Sequence, residues 1–148
     1  MDIILIPVSI LAFIDQITKW LAKTKLTQTN YIAIVEKKIE LIPVFNTGFA
    51  FGFKDHLPSY MLIVITLITL GVLYAVYKQD SENKVNKIAF IFLFAGGIGN
   101  GFDRIIFQKV TDFIMINRFM AFNLADLYML IGLMILINQY VEEQIVSY

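Results

Sequence analysis

Residues 57–77 read LPSYMLIVITLITLGVLYAVY, an apolar stretch without a charged side chain. A helix needs about 20 mostly apolar residues to cross the hydrocarbon core of a bilayer, and this stretch has that length. Three further stretches of similar character lie at about residues 3–22, 88–107 and 123–141. The sequence therefore predicts an all-α integral membrane protein built as a four-transmembrane-helix bundle.

The composition of the whole chain supports this prediction. Its 148 residues are 58% hydrophobic and 16% charged, with a mean hydropathy of +0.71, whereas roughly a quarter of the residues in a soluble domain are charged. The net charge is zero and no basic tail is present, so we expect no nucleic-acid partner. The chain has no cysteine, and its one histidine, His56, falls in a predicted loop. We therefore expect no metal site and no cofactor.

The connections between the spans are short except for one. Residues 24–56 contain YIAIVEKK and IELIPVF, which are rich in β-branched residues and predict a small β-rich segment of short strands. Residues 78–87 predict a short polar turn. The N-terminal stretch has neither a basic region before it nor a small-residue cleavage site after it, so we expect the first span to be retained. No repeat or linker divides the chain, and we expect a single domain over residues 1–148.

Polar residues are concentrated near the ends of the predicted spans. Because successive spans alternate in direction, the C-terminal ends of the first and third lie on the same side as the N-terminal end of the fourth. The residues placed there are Asp15, Lys19, Asp103, Arg104, Asn123 and Asp126. The segment 24–56 and a predicted loop over residues 109–122, which contains Asp112, open on that side too. Lysines occur on both sides, so the positive-inside rule does not fix the orientation.

Two local patterns allow both a structural and a functional interpretation. Asp15 and Lys19 are four residues apart on a helix and can pair. In the structural interpretation, the ion pair only lowers the cost of placing two charges in a membrane span. In the functional one, Lys19 is a cationic anchor at the entrance of a site. Asn46 and Gly48, in FNTGFAFGF, either form an ordinary turn or present the Asn46 amide to a peptide backbone.

The glycine-rich string GGIGNGFDR occupies residues 96–104. No Lys-Ser/Thr pair follows it, so it is not a phosphate-binding P-loop. In a membrane helix such glycines are typical of close approach between neighbouring backbones. Asn100, Asp103 and Arg104 are spaced i, i+3 and i+4 and face one direction. For Asp103 we favour an interhelical polar clasp, and for Asn100 and Arg104 a part in a site.

The two carboxylates at Asp112 and Asp126 flank apolar sequence, where ionised groups are expensive to keep. Singly, each has an ordinary explanation: Asn123 can cap the fourth helix with Asp126 in its first turn, and Asp112 can be a loop acid. Brought close together at a semi-dry site, however, two carboxylates cannot both ionise easily and would share one proton. One then accepts a proton from water while the other donates to a substrate carbonyl, which is the chemistry of aspartic proteases.

Five motifs occur in order along the chain: DQITK (15–19), NTGFAFG (46–52), GGIGNGFDR (96–104), VTDF (110–113) and FNLAD (122–126). In that order they resemble the motifs of the bacterial lipoprotein signal peptidases (signal peptidase II) over nearly the whole chain. The resemblance implies a membrane aspartic endopeptidase in the bacterial cytoplasmic (inner) membrane, with both termini cytoplasmic and the site near the extracytoplasmic face. Its substrate would be a prolipoprotein with diacylglyceryl on the lipobox cysteine, cut just before that cysteine.

The resemblance also implies roles for individual residues. The catalytic pair of the family falls on Asp112 and Asp126. Its substrate-binding or supporting positions fall on Asp15, Lys19, Asn46, Gly48, Asn100, Asp103, Arg104 and Asn123. The extracytoplasmic strands would lie at about residues 31–53. The expected partners are the lipid-modified prolipoprotein and membrane lipid, and we expect a monomer.

Two features depart from the pattern of the family. The segment 113–125 is several residues shorter than is usual, which predicts a trimmed flap over the site. Phe49 occupies a position that is commonly small, which predicts a bulkier rim. Neither removes a catalytic group, so both bear on substrate breadth.

Two other functions remain open from the residues alone. One is a small proton-coupled membrane transporter whose carboxylates relay protons, and the other is a membrane assembly subunit that uses the glycines and ion pairs only for packing. A transporter would need polar groups along a path through both halves of the bundle, whereas the second span has no charged side chain. The packing function does not explain Asp112, which lies outside the predicted helices.

Overall fold

The computed structural model describes residues 4–48, 59–79 and 83–146. Four helices account for most of this part of the chain: α1 (Leu5–Lys25), α2 (Ser59–Gln79), α3 (Lys84–Phe107) and α4 (Leu124–Val146). Each is long and apolar enough to cross a membrane, which confirms the predicted four-helix class. The expectations for Phe49 and His56 lie outside the described residues.

The start of α3 differs from the predicted limit because of a polar cap. This helix begins at Lys84, four residues earlier than expected. The Asn83 side chain accepts hydrogen bonds from the N–H groups of Val85 (2.9 Å) and Asn86 (3.3 Å). Such a cap pairs N–H groups that the first turn of a helix leaves unsatisfied. The polar turn predicted for residues 78–87 is therefore shorter than expected.

Three helices also continue beyond their predicted C-terminal limits: α1 to Lys25, α2 to Gln79 and α4 to Val146. Polar residues in a last turn can remain helical when they pair along one face. In α4, Asn138 Nδ2 donates to Glu142 Oε1 across one turn (2.8 Å). Contacts of this spacing contribute about 0.2–0.5 kcal/mol each, enough to extend a helix whose apolar part is already formed.

The interior of the bundle has an apolar end and a polar end. The apolar end is one buried cluster: Ile4, Val8, Tyr77, Phe90, Leu93, Phe94 and Ala95. Buried polar residues occupy the other end: Asp15, Lys19, Asn100, Asp103 and Asn123. The outer surface is apolar, as a lipid-facing surface requires; Phe13, for example, is 66% exposed. The side chains that can carry chemistry therefore lie at one end of the bundle.

A four-stranded antiparallel sheet adjoins the polar end. Its strands are β1 (Ile32–Val35), β2 (Ile39–Asn46), β3 (Val110–Ile116) and β4 (Met120–Phe122), paired in that order. β1 and β2 lie in the segment that the sequence predicted to be β-rich. β3 and β4 occupy residues 109–122, where the sequence predicted a loop, and that prediction was wrong.

The β3–β4 hairpin has a turn that lacks the usual sequence signal. Asn117 and Arg118 both have a left-handed backbone, with φ of 49° and 55°, and the Phe119 N–H donates to the Ile116 carbonyl (3.0 Å). Tight hairpins favour glycine at the second of these positions. Arg118 is instead held by two hydrogen bonds to the Glu40 carboxylate on β2, at 2.9 and 2.8 Å. The turn thus depends on a contact from a distant part of the chain.

The pairing of β2 with β3 joins the segment that follows α1 to the segment that follows α3. Val44 lies opposite Asp112, and Asn46 lies opposite Val110. Side chains two residues apart on neighbouring strands lie within reach of each other. The sheet therefore places the Asn46 side chain beside the Asp112 carboxylate.

Close packing of α3 against α4 and α1 depends on glycines in the string that the sequence singled out. A Cβ atom at Gly96 would collide with the Ala125 carbonyl and lie 2.5 Å from Met129 Cγ. A Cβ atom at Gly99 would lie 2.6 Å from Asp15 Oδ2. These contacts agree with the interpretation of the glycines as sites of close helix approach.

We expect Gly96→Ala to lower the thermal stability of the protein in detergent. The added methyl group meets the backbone of α4, which cannot move aside alone, and overpacking of this kind costs about 1–3 kcal/mol. Gly71→Ala in α2 is the matched control, since nothing lies within 4 Å of a Cβ placed there. Equal melting temperatures for the two variants would contradict the close-packing argument.

Candidate active site

The polar end of the bundle is organised around the ammonium group of Lys19, which is fully buried. Lys19 Nζ lies 2.8 Å from Asp15 Oδ2 on the same helix and 3.4 Å from Asp103 Oδ2 on α3. It also donates to Asn100 Oδ1 (2.9 Å). A buried charge is tolerated only when it is paired and hydrogen-bonded, and Lys19 satisfies this condition through three side chains.

Each carboxylate that pairs with Lys19 also binds a backbone N–H next to a predicted catalytic residue. Asp15 Oδ1 accepts from the N–H of Ala125 (2.9 Å), the residue before Asp126. Asp103 Oδ2 accepts from the N–H of Thr111 (3.0 Å), the residue before Asp112. The ammonium group of α1 is thus connected to the backbone at both aspartates.

Asn100 binds the Asp126 carboxylate in an orientation that its other contacts determine. Its Oδ1 atom accepts from Lys19 Nζ and from Asn123 Nδ2 (3.1 Å). An amide with its oxygen so engaged must direct its NH₂ group the other way. Asn100 Nδ2 accordingly donates to Asp126 Oδ1 (2.8 Å).

Asn123 both caps α4 and connects the two aspartates. Its Oδ1 atom accepts from the Asp126 N–H (3.0 Å), while Asp126 Oδ2 accepts from the Asn123 N–H (3.2 Å). This reciprocal pair is a capping box with an aspartate in the third position. The remaining amide group, Nδ2, donates to Asp112 Oδ1 (2.6 Å). The capping interpretation made from sequence is therefore correct, and it does not compete with a place in the site.

Asp112 lies on β3 and is only 3% exposed. Its second oxygen, Oδ2, accepts from Asn46 Nδ2 (3.2 Å). The Asn46 side chain is itself fixed, because Oδ1 accepts from the Gly48 N–H (2.9 Å). The turn interpretation of Asn46 and Gly48 thus holds together with a contact to Asp112.

The surroundings of Asp112 favour its protonated form. Burial, and then the negative charge of Asp126, raise the pKa of the Asp112 carboxyl from 3.8 to about 6. Hydrogen bonds from Asn123 and Asn46 and the charge of Lys19 oppose this rise. A carboxyl with such a pKa exchanges its proton much closer to neutral pH than an ordinary aspartate does, as a general acid and base must.

Arg104 lies at the edge of this cluster and is less firmly held. Its Nη1 atom is 3.5 Å from the Asn100 carbonyl oxygen, and its buried Nε atom has no hydrogen-bond partner within the described ranges. Guanidinium groups bind carbonyl, ester and carboxylate oxygens through their N–H donors.

The structure brings the sequence-predicted residues together and adds others. Alternation of helix direction predicted that residues from α1, α3 and α4 would meet, and the hydrogen bonds above show that they do. Sequence reasoning missed Gln16, whose Nε2 atom donates to the Gly99 carbonyl (3.0 Å) and to Asp15 Oδ2 (3.2 Å). It also missed the backbone groups at Ala125 and Thr111, because no side-chain pattern marks a backbone donor.

Comparison with known proteins identifies the family. The family model described as signal peptidase (SPase) II matches residues 7–141. A lipoprotein signal peptidase of Shouchella clausii is 35% identical over 124 residues, which cover 83% of this chain and 82% of that protein. The lipoprotein signal peptidase of Thermodesulfovibrio yellowstonii is 34% identical over 136 residues, covering 89% and 90%. The Bacillus subtilis protein of the same name is 29% identical over 129 residues, covering 84% of each chain.

Solved structures agree with this result. A structure described as a bacterial membrane enzyme, at 2.3 Å resolution, superposes with a TM-score of 0.87 and 26% identity, and the match covers 97% of this chain and 90% of that one. A second, at 1.9 Å, gives a TM-score of 0.81 over 95% of this chain and 93% of that one. Fold and comparisons together define a multi-pass membrane peptidase of the aspartic class. The chain belongs to the signal peptidase II family, the lipoprotein signal peptidases.

The raised pKa of Asp112 predicts a pH dependence of stability. The folded protein retains this proton up to about pH 6, whereas the carboxyl ordinarily releases it near 3.8. The folded state therefore loses stability as pH rises through this window, by about 3 kcal/mol in all. Asp112→Asn cannot ionise, so we expect its melting temperature to exceed that of the wild type by more at about pH 8 than at about pH 4.

Thermal unfolding in detergent at the two pH values measures this effect. Glu36→Gln, which removes an exposed carboxyl from the β1–β2 turn, controls for the loss of one negative charge. If the difference between Asp112→Asn and wild type were the same at both pH values, the carboxyl would not titrate in the proposed way.

Proposed function

We propose that Asp112 and Asp126 form the catalytic pair of an aspartic endopeptidase that cleaves lipid-modified prolipoproteins. The observation that supports this most directly is the bridge through Asn123. This residue donates to Asp112 through its side chain and to Asp126 through its backbone N–H. The charge of Asp126 acts on Asp112, and two neighbouring buried carboxylates resist ionising together, so that one proton serves both, which is what the reaction needs.

The proposed reaction uses one carboxylate and one carboxylic acid. The carboxylate takes a proton from a water molecule as the water oxygen attacks the scissile carbonyl carbon. The carboxylic acid gives its proton to the carbonyl oxygen, so a neutral tetrahedral intermediate forms. When the C–N bond breaks, one hydroxyl proton returns to a carboxylate, and the other carboxyl protonates the leaving nitrogen. The pair ends with one proton, as it began, and one water molecule has been consumed.

The neighbouring residues hold the pair in place in this proposal. Lys19, through Asp15 and Asp103, fixes the backbone that carries each aspartate, and the amides of Asn46, Asn100 and Asn123 direct their NH₂ groups at carboxylate oxygens. These donors stabilise the ionised form against burial. Arg104 is assigned to the substrate, since its side chain is only partly buried and its Nη1 atom makes a long hydrogen bond of 3.5 Å.

The substrate class is inferred from the family and from the position of the site. The relatives are lipoprotein signal peptidases. The carboxylates lie at the end of an apolar bundle, where a peptide anchored by a lipid chain would present a bond near the membrane surface. We infer that the bond cut lies just before a diacylglyceryl-modified cysteine, that the site is near the extracytoplasmic face with both termini cytoplasmic, and that the enzyme acts as a monomer.

The β3–β4 hairpin bears on substrate breadth. The segment 113–125, shorter than is usual in the family, is filled by this hairpin and by the start of α4. We propose that the short hairpin covers the site less completely than a longer one would, so that residues beside the cleaved bond are less restricted.

Cleavage of a diacylglyceryl-modified lipobox peptide by the purified protein tests the catalytic assignment. We expect Asp112→Asn and Asp126→Asn each to lower kcat by at least about 100-fold, since loss of a general acid or base typically costs that much. Glu142→Gln, which changes an exposed acid on α4, should leave kcat unchanged. Full turnover by either aspartate variant would refute the pair, and equal cleavage of the unlipidated peptide would refute the substrate class.

Asn46→Ala should move the pH profile of the reaction. The substitution removes one hydrogen-bond donor from Asp112 Oδ2, so the pKa of Asp112 rises further. The limb of the kcat/KM profile that reports ionisation of Asp112 therefore shifts to higher pH. We expect kcat to fall about tenfold, the usual effect of losing a hydrogen bond to a charged group. Asn138→Ala removes an exposed amide far from the site and is the control. A fall in kcat with an unmoved pH profile would show that Asn46 does not act on Asp112.

A further inference from the structure

The outer end of the sheet exposes more apolar surface than a water-facing sheet would. We call residues 31–39 and 116–120 the sheet tip; they include the β1–β2 and β3–β4 turns. Its exposed large apolar side chains are Tyr31, Ile32, Ile34, Val35, Ile116 and Phe119. Phe119, in the β3–β4 turn, is 85% exposed. Contiguous apolar surface of this kind marks a site of contact with another molecule or with lipid.

Strand pairing shows that much of this surface belongs to one face of the sheet. Paired residues share a face, and so do alternate residues along a strand. One face carries Ile32, Val35, Ile39, Leu41, Ile114, Ile116, Met120 and Phe122. These side chains are all apolar and make up the outer part of the face, whereas the opposite face carries Glu40 at the same level. Further in, the same face carries Asp112, two residues before Ile114 on β3. The outer part of this face is therefore apolar, and no described helix covers it.

The sheet cannot lie far from the membrane, because β3 and β4 join almost directly to spanning helices. Only two residues separate the end of α3 at Phe107 from β3 at Val110, and one separates β4 at Phe122 from α4 at Leu124. A strand as long as β3, with 7 residues, reaches roughly 23 Å, whereas the headgroup layer is only about 7 Å thick. If the sheet stood along the membrane normal, Phe119 would lie in water. If the sheet lies along the membrane surface, Phe119 is in contact with lipid.

Charge in this region fits the surface of a phospholipid bilayer. The sheet and its connections, residues 23–48 and 107–123, carry six cationic side chains: Lys23, Lys25, Lys37, Lys38, Lys109 and Arg118. They carry three acids, of which Glu40 is paired with Arg118 and Asp112 belongs to the site. Lys37 and Lys38 are exposed in the β1–β2 turn. Lysines beside apolar side chains are typical of segments that lie in the headgroup layer.

We propose that the sheet tip lies in the headgroup layer of the same membrane that the helices span, with Phe119 inserted toward the acyl chains and Lys37 and Lys38 among the phosphates. In this position, the apolar surface of the sheet tip continues the lipid-facing surface of α3 and α4. This contact does not depend on the proposed catalytic pair, because it uses different residues and is present without substrate.

A single tryptophan placed at position 119 reports the contact directly. The chain contains one tryptophan, Trp20, so Trp20→Phe supplies a silent background, and Phe119→Trp replaces a side chain that is already exposed. The protein is reconstituted without substrate in bilayers that contain brominated phospholipids, which quench indole fluorescence on contact. Leu133→Trp in the same background is the positive control, since Leu133 is 50% exposed in the middle part of α4.

We expect the indole at position 119 to lose emission in brominated lipid to a degree comparable with the indole at position 133, and to be protected from acrylamide in the water phase. Strong quenching by acrylamide without quenching by brominated lipid would overturn the proposal. So would quenching by brominated lipid that develops only after a lipidated lipobox peptide is added, because the tip would then be a substrate surface.

Discussion

One buried ammonium group holds the polar end of this molecule together. Lys19 has no contact with solvent, so its charge must be matched inside the bundle. The two carboxylates that match it each use an oxygen to fix the backbone beside a different aspartate of the candidate pair. The same ammonium sets the orientation of the Asn100 amide, and hence the donor that Asp126 receives. Positions drawn from α1, α3, α4 and β3 are thereby fixed by a single charge.

Most of the fold could be predicted from the sequence because its main determinant is local. Residues 57–77 are apolar throughout, and such a stretch has few options other than a spanning helix. The errors arose where a distant contact decides the structure. The turn at Asn117 and Arg118 lacks the glycine that would mark a hairpin, and the ion pair from Glu40 that stabilises it joins residues far apart in sequence. The early start of α3 was a smaller error of the opposite kind, since Asn83 is a local cap that could have been recognised.

The candidate site was predictable in outline for a topological reason. Alternating spans place the ends of α1 and α3 beside the start of α4, whatever the details of packing. The finer arrangement was not predictable, because it depends on amide orientation and on backbone donors. Nothing in the string FNLAD indicates that the Ala125 N–H binds Asp15. From sequence, Asn123 could be either a helix cap or part of the site. The structure shows both contacts, because the amide oxygen accepts at the cap while the amide nitrogen donates to Asp112.

The double engagement of Asn123 has a consequence for the biogenesis of the enzyme. Asp112 receives one donor from Asn46 at the end of β2 and another from Asn123, and the cap made by Asn123 requires the first turn of α4 to be formed. The two aspartates are therefore joined through Asn123 only once the start of the last span has formed. A chain synthesised only as far as β4 carries Asp112 without Asp126. In the proposed reaction, hydrolysis therefore becomes possible only at the last step of assembly.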